Sequence, residues 1–267
     1  LNLVFNIHGE DLLVTTPLAQ KLLDMARPVV ENAKRVVVPS YYFRNITEKE
    51  MPRIPRENII VSASGGVKSP FYVELNSYES VKSGNECLNI GYVSRIDRGK
   101  GWQTFVEAIN ILNGDGYRIK GTIIGGGLEA DDLRKKIEES SLNNIDFVGP
   151  VGYDLLPSYY RNMDLFVFPT LLRESLGLVG LEAMAASVPV MGSNIGGLTD
   201  YIKDGENGFL FTPGNAEELA VCIKRYLNMS KNQKTEMKKK ARITAENYRA
   251  EKVSRKLFDN LFEKVVE

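Results

Sequence analysis

The chain has 267 residues, 43% apolar and 25% charged, with 34 Lys plus Arg against 34 Asp plus Glu. That length supports one large core or two smaller ones, and the composition excludes a disordered chain. A net charge of zero argues against a dedicated nucleic-acid binder, so any cationic site must be local.

The opening LNLVFNI (1–7) reads as a buried strand, too short for a signal-peptide core and without a basic lead. Its first residue is Leu1, not Met, as in a fragment or a processed chain. A helical stretch, PLAQKLLDMARPVVENA (17–33), leads to a second buried strand, RVVVPS (35–40). One βαβ unit is too little for a domain, so a second doubly wound domain would need further units upstream. IIVSASGGV (59–67) is another strand ending in a glycine turn, and NSYESVKSGNE (76–86) is polar and loop-like.

From about Cys87 the pattern becomes regular. Six apolar runs, LNIGYVS (88–94), IKGTIIG (119–125), IDFVG (145–149), DLFVFP (164–169), VPVMGS (188–193) and GFLFT (208–212), alternate with segments of helical period. Near-continuous apolarity fits strands covered on both faces of a parallel sheet. In GWQTFVEAINILNGDG (101–116), Trp102, Phe105, Val106, Ile109 and Leu112 share one helical face. LEADDLRKKIEESS, YDLLPSYYRN, GLVGLEAMAAS and NAEELAVCIKRYLN follow, the last with Asn215 as N-cap. The fold class is therefore α/β, a doubly wound Rossmann-like parallel sheet. The tail is two amphipathic helices. Its lysines (Lys231, Lys234, Lys238, Lys239, Lys240) read as a solvated face, with membrane-surface or acidic-ligand contact as the minority alternative. No apolar run approaches the ~20 residues of a membrane helix. Cys87 and Cys222 lie far apart among apolar residues and read as two buried thiols.

In an open parallel sheet, ligands bind beyond the carboxyl ends of the strands. After the first of the six strands, SRIDRGKGW places Arg95 and Lys100 in a glycine-bearing turn that opens a helix, a pattern suited to a diphosphate. After the second, Gly125, Gly126 and Gly127 allow close approach of a ligand to the backbone. After the fourth, Glu174 falls in a loop. The N–H groups of Leu176, Gly177, Leu178 and Val179 open a helix able to accept an anion, and Glu182 lies one turn in, where it can hold two ribose hydroxyls. After the fifth comes another glycine pair, SNIGGLTDYI. Singly, a solvated loop or tight turn accounts for each. Four at one edge of one sheet fit that account less well.

These segments together resemble the retaining GT-B glycosyltransferases of family 4, the glycosyl transferases group 1. The matching stretches run in order over about 58–218: VSRIDRGKG, TIIGGGLEADDLRKKI, IDFVGPVGYDLLPSYYRNMDLFVFPT, and RESLGLVGLEA, with seven residues between its two glutamates. Upstream, FNIHGEDL and KRVVVPSYYFRNI resemble the end of the family's N-terminal domain, and SASGGV loosely resembles the domain junction. The resemblance implies three parts: an incomplete acceptor-side Rossmann-like domain (1–57), a nucleotide-sugar domain (58–248), and a C-terminal helix crossing back (249–267). It implies a nucleotide-diphosphate-sugar donor and a polysaccharide, glycan or lipid-linked acceptor, with retention of anomeric configuration. Arg95 and Lys100 would bind the diphosphate. Glu182 would hold the ribose and Gly126 would lie against the donor. The backbone of Leu176, Gly177, Leu178 and Val179 would contact sugar and phosphate. Glu174 and His8, the one histidine of the chain, would be catalytic.

No cofactor is expected, since the nucleotide-sugar is a substrate. No metal is expected either, because the cations and helix N-terminus can offset the leaving group's charge and Asp131-Asp132 opens a helix of no evident relevance. The expected place is the cytoplasm, with peripheral contact at the inner membrane face. A sugar-nucleotide epimerase of the same fold and a non-catalytic nucleotide-sugar-binding module are the alternatives.

Overall fold

The computed structural model describes residues 3–12, 16–72, 87–140 and 143–262. The polar, loop-like segment NSYESVKSGNE (76–86) lies outside the described residues. The first unit runs β1 (Val4–Asn6), α1 (Gly9–Leu12), α2 (Pro17–Glu31), β2 (Arg35–Val38), α3 (Tyr41–Glu50) and β3 (Ile59–Val61). Its sheet has the order β1-β2-β3 and is parallel throughout.

The second unit begins with β4 (Leu88–Val93), α4 (Trp102–Gly114), β5 (Ile119–Ile124), α5 (Ala130–Glu139) and β6 (Ile145–Gly149). It continues through α6 (Leu156–Arg161), β7 (Leu165–Phe168), α7 (Leu178–Ala185), β8 (Val190–Ser193), α8 (Leu198–Tyr201) and β9 (Gly208–Phe211). Three helices follow: α9 (Ala216–Leu227), α10 (Lys231–Glu246) and α11 (Ala250–Phe262).

The six strands of the second unit pair in parallel in the order β6-β5-β4-β7-β8-β9. Numbered from β4, this is the doubly wound order 3-2-1-4-5-6, whose direction reverses between β4 and β7. The loops after those two strands therefore diverge and leave a crevice between them. Burial follows the sequence pattern: all four residues of β7 and of β8 are inaccessible. Helix α4 buries Trp102, Phe105, Val106, Ile109 and Leu112 against the sheet. Asn215 caps α9 by accepting from the Glu218 N–H at 2.9 Å. Ser230 and Gln233 form a reciprocal capping box on α10.

Four expectations change, and one helix is new. The first strand is not buried: β1 is a sheet edge, and Val4 is 43% exposed. Residues 41–50 form helix α3, started by Ser40, whose hydroxyl accepts from the Phe43 N–H at 3.1 Å. The strand Ile59–Val61 pairs with β2, so the first sheet extends past residue 57. Cys87 is exposed because it precedes the first covered residue of β4, while Cys222 is buried. Lys234 leaves the solvated face. It is buried with its ammonium 5.4 Å from the Tyr226 ring, and burial pushes its pKa down.

The chain passes between the units twice, and the two crossings are bonded together. The Val67 N–H donates to the Tyr248 carbonyl at 2.7 Å, and the Ala250 N–H donates to the Val67 carbonyl at 3.0 Å. Beyond this, Lys256 and Asn260 of α11 share a cavity with Arg56 and the β3 residues Ile59, Ile60 and Val61. Among the described residues no helix is long and apolar enough to cross a membrane.

Candidate functional site

The loops after β4 and β7 meet at the reversal of strand order. Lys100, at the end of the first loop, places its ammonium 2.7 Å from Glu174 Oε1 in the second, with both side chains largely buried. The Thr170 hydroxyl donates to the same carboxylate oxygen at 3.1 Å. Arg95 pairs with Asp97 at 2.9 Å, and its side chain is 74% exposed. The Glu174 backbone is fixed from behind by the segment after β8: the Gly197 N–H donates to its carbonyl at 2.8 Å. Gly196 has φ +63°, and a Cβ there would lie 2.6 Å from that same carbonyl, so only glycine fits this contact.

Helix α7 starts from Gly177, whose φ of +82° favours glycine and whose Cβ would lie 2.6 Å from Phe168. The Tyr201 hydroxyl donates to the Gly177 carbonyl at 3.1 Å and holds the helix start in place. The first N–H groups of a helix have no carbonyl a turn behind them, and they carry the positive end of its dipole. Here that end opens on a cavity of about 380 Å³ lined by Arg95, Lys100, Glu174 and Leu176 to Val179, with Ser64, Ser94, Phe168 and Ser175. Seven of the ten residues expected at the site are thus brought together. The hydroxyls of Ser64, Ser94, Thr170 and Ser175 were missed, because isolated serines and threonines in loops carry no spacing signal.

The same cations and Glu174 also face a larger cleft of about 1080 Å³ between the two units. Its opposite wall includes Gly9, Leu12 and Thr16, with Tyr42, Ile46 and Lys49 of α3. The α3 residues were missed together with their helix.

Three expected residues lie outside both linings. His8 is exposed, and its backbone N–H donates to Asp11 Oδ2 at 2.8 Å as the chain turns into α1. Its neighbour Gly9, not His8, reaches the cleft. The Gly126 carbonyl accepts from the Ile96 N–H at 2.9 Å, so this glycine serves to pack the loop after β5 against the loop after β4. Glu182 is 4% exposed, with Oε1 accepting from the Tyr153 hydroxyl at 3.0 Å and Oε2 from the Tyr160 hydroxyl at 3.3 Å. Burial raises its pKa, only partly opposed by the two phenols and by Lys68.

Asp131 and Asp132 lie in the first turn of α5. Among the described residues no group of three or more His, Cys, Asp or Glu could hold a metal ion.

The family model for glycosyl transferases group 1 matches residues 79–244. The chain is 35% identical over 150 residues to the capsular polysaccharide biosynthesis glycosyltransferase CapM of Staphylococcus aureus, a span of 54% of this chain and 38% of CapM. It is 32% identical over 140 residues to a 2-deoxystreptamine glucosyltransferase of Streptomyces kanamyceticus, covering 52% of this chain and 36% of that protein. The matches thus span well under half the length of these relatives. Among solved structures, Anabaena HepE in complex with UDP and glucose superposes with a TM-score of 0.77 at 20% identity, covering 97% of this chain and 70% of that one. A glycosyltransferase from Rickettsia africae gives 0.78 at 22% identity over 99% and 71% of the two chains. At these identities the structural likeness establishes a shared GT-B fold.

Proposed function

Because the chain belongs to the family of glycosyl transferases group 1, we propose that it carries the donor site of a glycosyltransferase. The reaction moves a sugar from a nucleotide-diphosphate-sugar to a polysaccharide, glycan or lipid-linked acceptor, with retention at the anomeric carbon. The observation that carries this reading is the convergence of Arg95, Lys100, Glu174 and the start of α7 on one cavity at the strand-order reversal, open to the cleft between the units.

The chemistry follows from charge. Breaking the sugar–phosphate bond places negative charge on the leaving diphosphate. Arg95, Lys100 and the N–H groups of Gly177, Leu178 and Val179 offset it, a fixed arrangement that does not call on a metal. The sugar becomes oxocarbenium-like, and Glu174, held by Lys100 and Thr170, stabilises it from the cavity floor. Glu182 would accept the ribose hydroxyls only where the ribose displaces the Tyr153 hydroxyl that covers Oε1, since the carboxylate lies behind the cavity wall. His8, exposed one residue from the cleft wall, would have to turn toward the cleft to meet the sugar, and the acceptor enters along α3. HepE, of the same fold, was crystallised with UDP and glucose, which supports a nucleotide in this position.

The test is calorimetry with UDP and GDP, followed by incubation with their labelled sugar conjugates and candidate acceptors. Binding of either nucleotide with transfer that keeps the anomeric configuration is the expected result. Absence of binding by both overturns the reading. Conversion of the donor to an isomeric sugar nucleotide without acceptor would instead mark an epimerase.

A further inference from the structure

Helix α8 follows the glycine pair that supports Glu174, and it touches the other unit as well. Asp200 Oδ2 accepts from the Tyr41 N–H at 2.6 Å and from the Tyr42 N–H at 3.2 Å. These are the first two N–H groups of α3, and the third, on Phe43, goes to Ser40. A helix of the first unit is thus capped by a carboxylate of the second. Such a cap satisfies donors that have no partner within their own helix and sets a negative charge at the positive end of its dipole. Asp200 is about half-buried, so the contact is only partly screened by water.

The position of Asp200 in its own segment gives the contact a consequence. Three residues before it, the Gly197 N–H holds the Glu174 carbonyl. One residue after it, the Tyr201 hydroxyl holds the Gly177 carbonyl. On the far side, α3 continues from its capped start to Tyr42, Ile46 and Lys49, which form the cleft wall opposite Glu174 and Lys100. One turn of helix therefore grips the loop carrying Glu174 with its backbone and the facing wall with its carboxylate.

We infer that Asp200 is a positioning residue that sets the spacing between the two walls of the cleft, tying the start of α3 to the Glu174 loop. This rests on the cleft being the site of transfer. Both hydrogen bonds cross between the units, so they exist only while α3 stays seated on α8. Any separation of the walls breaks them and frees two helix-start N–H groups and a carboxylate together. The nucleotide cavity lies wholly on one side of this contact, apart from Ser64 at the crossing. Spacing and nucleotide affinity can therefore be perturbed separately.

The experiment measures the inter-unit distance distribution by double electron–electron resonance. Spin labels go on Lys21→Cys and Lys135→Cys, both exposed positions, in a Cys87→Ser background. Asp200→Ala should shift the ratio of close to separated populations by about fivefold, the effect of losing one helix cap. Asp200→Asn, which keeps an acceptor oxygen and loses the charge, should restore part of the close population. Tyr41→Pro attacks the same contact from the other unit. Proline is favoured at the first helical position and removes only an N–H that the helix does not use, and Ser40 already has the extended backbone that precedes proline. It should widen the distribution in the same sense and add little to Asp200→Ala. UDP affinity, by calorimetry, should stay within about twofold of the parent in all three variants.

An unchanged distribution in both Asp200→Ala and Tyr41→Pro overturns the inference, as does full additivity of the two. Loss of UDP binding in Asp200→Ala with an unchanged distribution would also overturn it, assigning Asp200 to support of the nucleotide loop alone. If the parent itself binds neither UDP nor GDP, the transfer reading fails, while the distance data still decide what Asp200 holds.

Discussion

Arg95 and Lys100 both carry positive charge into one cavity, but their surroundings separate what each does for folding from what each does for binding. At 2.7 Å the Lys100–Glu174 attraction is roughly 6 kcal/mol with an effective dielectric of about 20, before desolvation of both groups is subtracted. Glu174 keeps the Thr170 hydroxyl when Lys100 is lost, so Lys100→Ala should cost about 2–3 kcal/mol of stability, below the full cost of stranding a buried charge. For a chain of this size that is roughly 4–12 °C in Tm. Arg95 is 74% exposed, so its pair with Asp97 is worth about 0–1 kcal/mol and Arg95→Ala should barely move Tm. For diphosphate binding the two should be alike. Each loses one charge-assisted contact of about 1.5–3 kcal/mol, or roughly 10- to 150-fold in Kd. Calorimetry with UDP and thermal unfolding on the same samples give both numbers. If both variants bind UDP like the parent, the phosphate assignment is wrong. If Arg95→Ala unfolds as early as Lys100→Ala, the partition of roles is wrong.

Glu182→Gln should weaken uridine and UDP alike, by about tenfold or more, because the lost partner is the ribose; a nucleotide lacking both ribose hydroxyls should not notice the change. The same variant has a pH signature. Burial raises the Glu182 pKa in the folded state, so the folded chain holds a proton that the unfolded chain has released, and stability falls as pH rises through the window just above the ordinary carboxylate range. Denaturant titrations across about pH 4 to 7 should show that fall in the parent and a smaller one in Glu182→Gln. Gly177→Ala should cost about 2–4 kcal/mol, combining the left-handed backbone with the contact to Phe168, and should abolish UDP binding by displacing the helix start. Glu246 shows the opposite pH sign: its hydrogen bond to Arg249 leads in lowering its pKa, with Arg242 adding to it. Its stabilisation is present above the unfolded value and is lost as pH falls through the folded one. Glu246→Gln should cost about 1 kcal/mol at neutral pH, a figure limited by solvent screening, and progressively less as pH falls below the ordinary carboxylate range.

The second sheet was legible because its inner strands are covered on both faces, and its apolar runs, that of the partly exposed edge strand β6 included, match the observed strands within one or two residues. The seven cavity residues were legible for a related reason. Two loops flanking a strand-order reversal must lie side by side, and each announced itself locally, one by two cations and one by a glycine at a helix start. The missed features all depend on a partner distant in sequence. Helix α3 buries only Phe43 and Thr47, and its start is completed by Asp200, 159 residues away. Lys234 looked like one lysine of a solvated run until Tyr226 covered it. Glu182 gave a clear spacing from Glu174, yet nothing in the spacing predicts that Tyr153 and Tyr160 would take one oxygen each.

Those partners also reconcile a neutral chain with an anionic ligand. Arg95 and Lys100 each have a carboxylate beside them, so the cavity adds no unbalanced charge to a protein whose basic and acidic residues number 34 each. Neither pair uses up its cation. An ammonium has three donors and Lys100 directs one at Glu174; a guanidinium has five and Arg95 directs one at Asp97. A diphosphate can thus take the remaining donors without displacing either carboxylate. Glu174 then stays fixed by Lys100 while the same lysine holds the leaving group. If that is how the site works, Lys100→Arg should be a poor substitute despite its charge. The guanidinium is bulkier than the ammonium and holds its donors in one plane, so it cannot take the place of a compact cation seated 2.7 Å from Glu174 and keep the same carboxylate and phosphate geometry. The expected result is UDP affinity within about tenfold of the parent with a larger loss of transfer rate. Equal losses in both would mean that Lys100 contributes charge and no orientation.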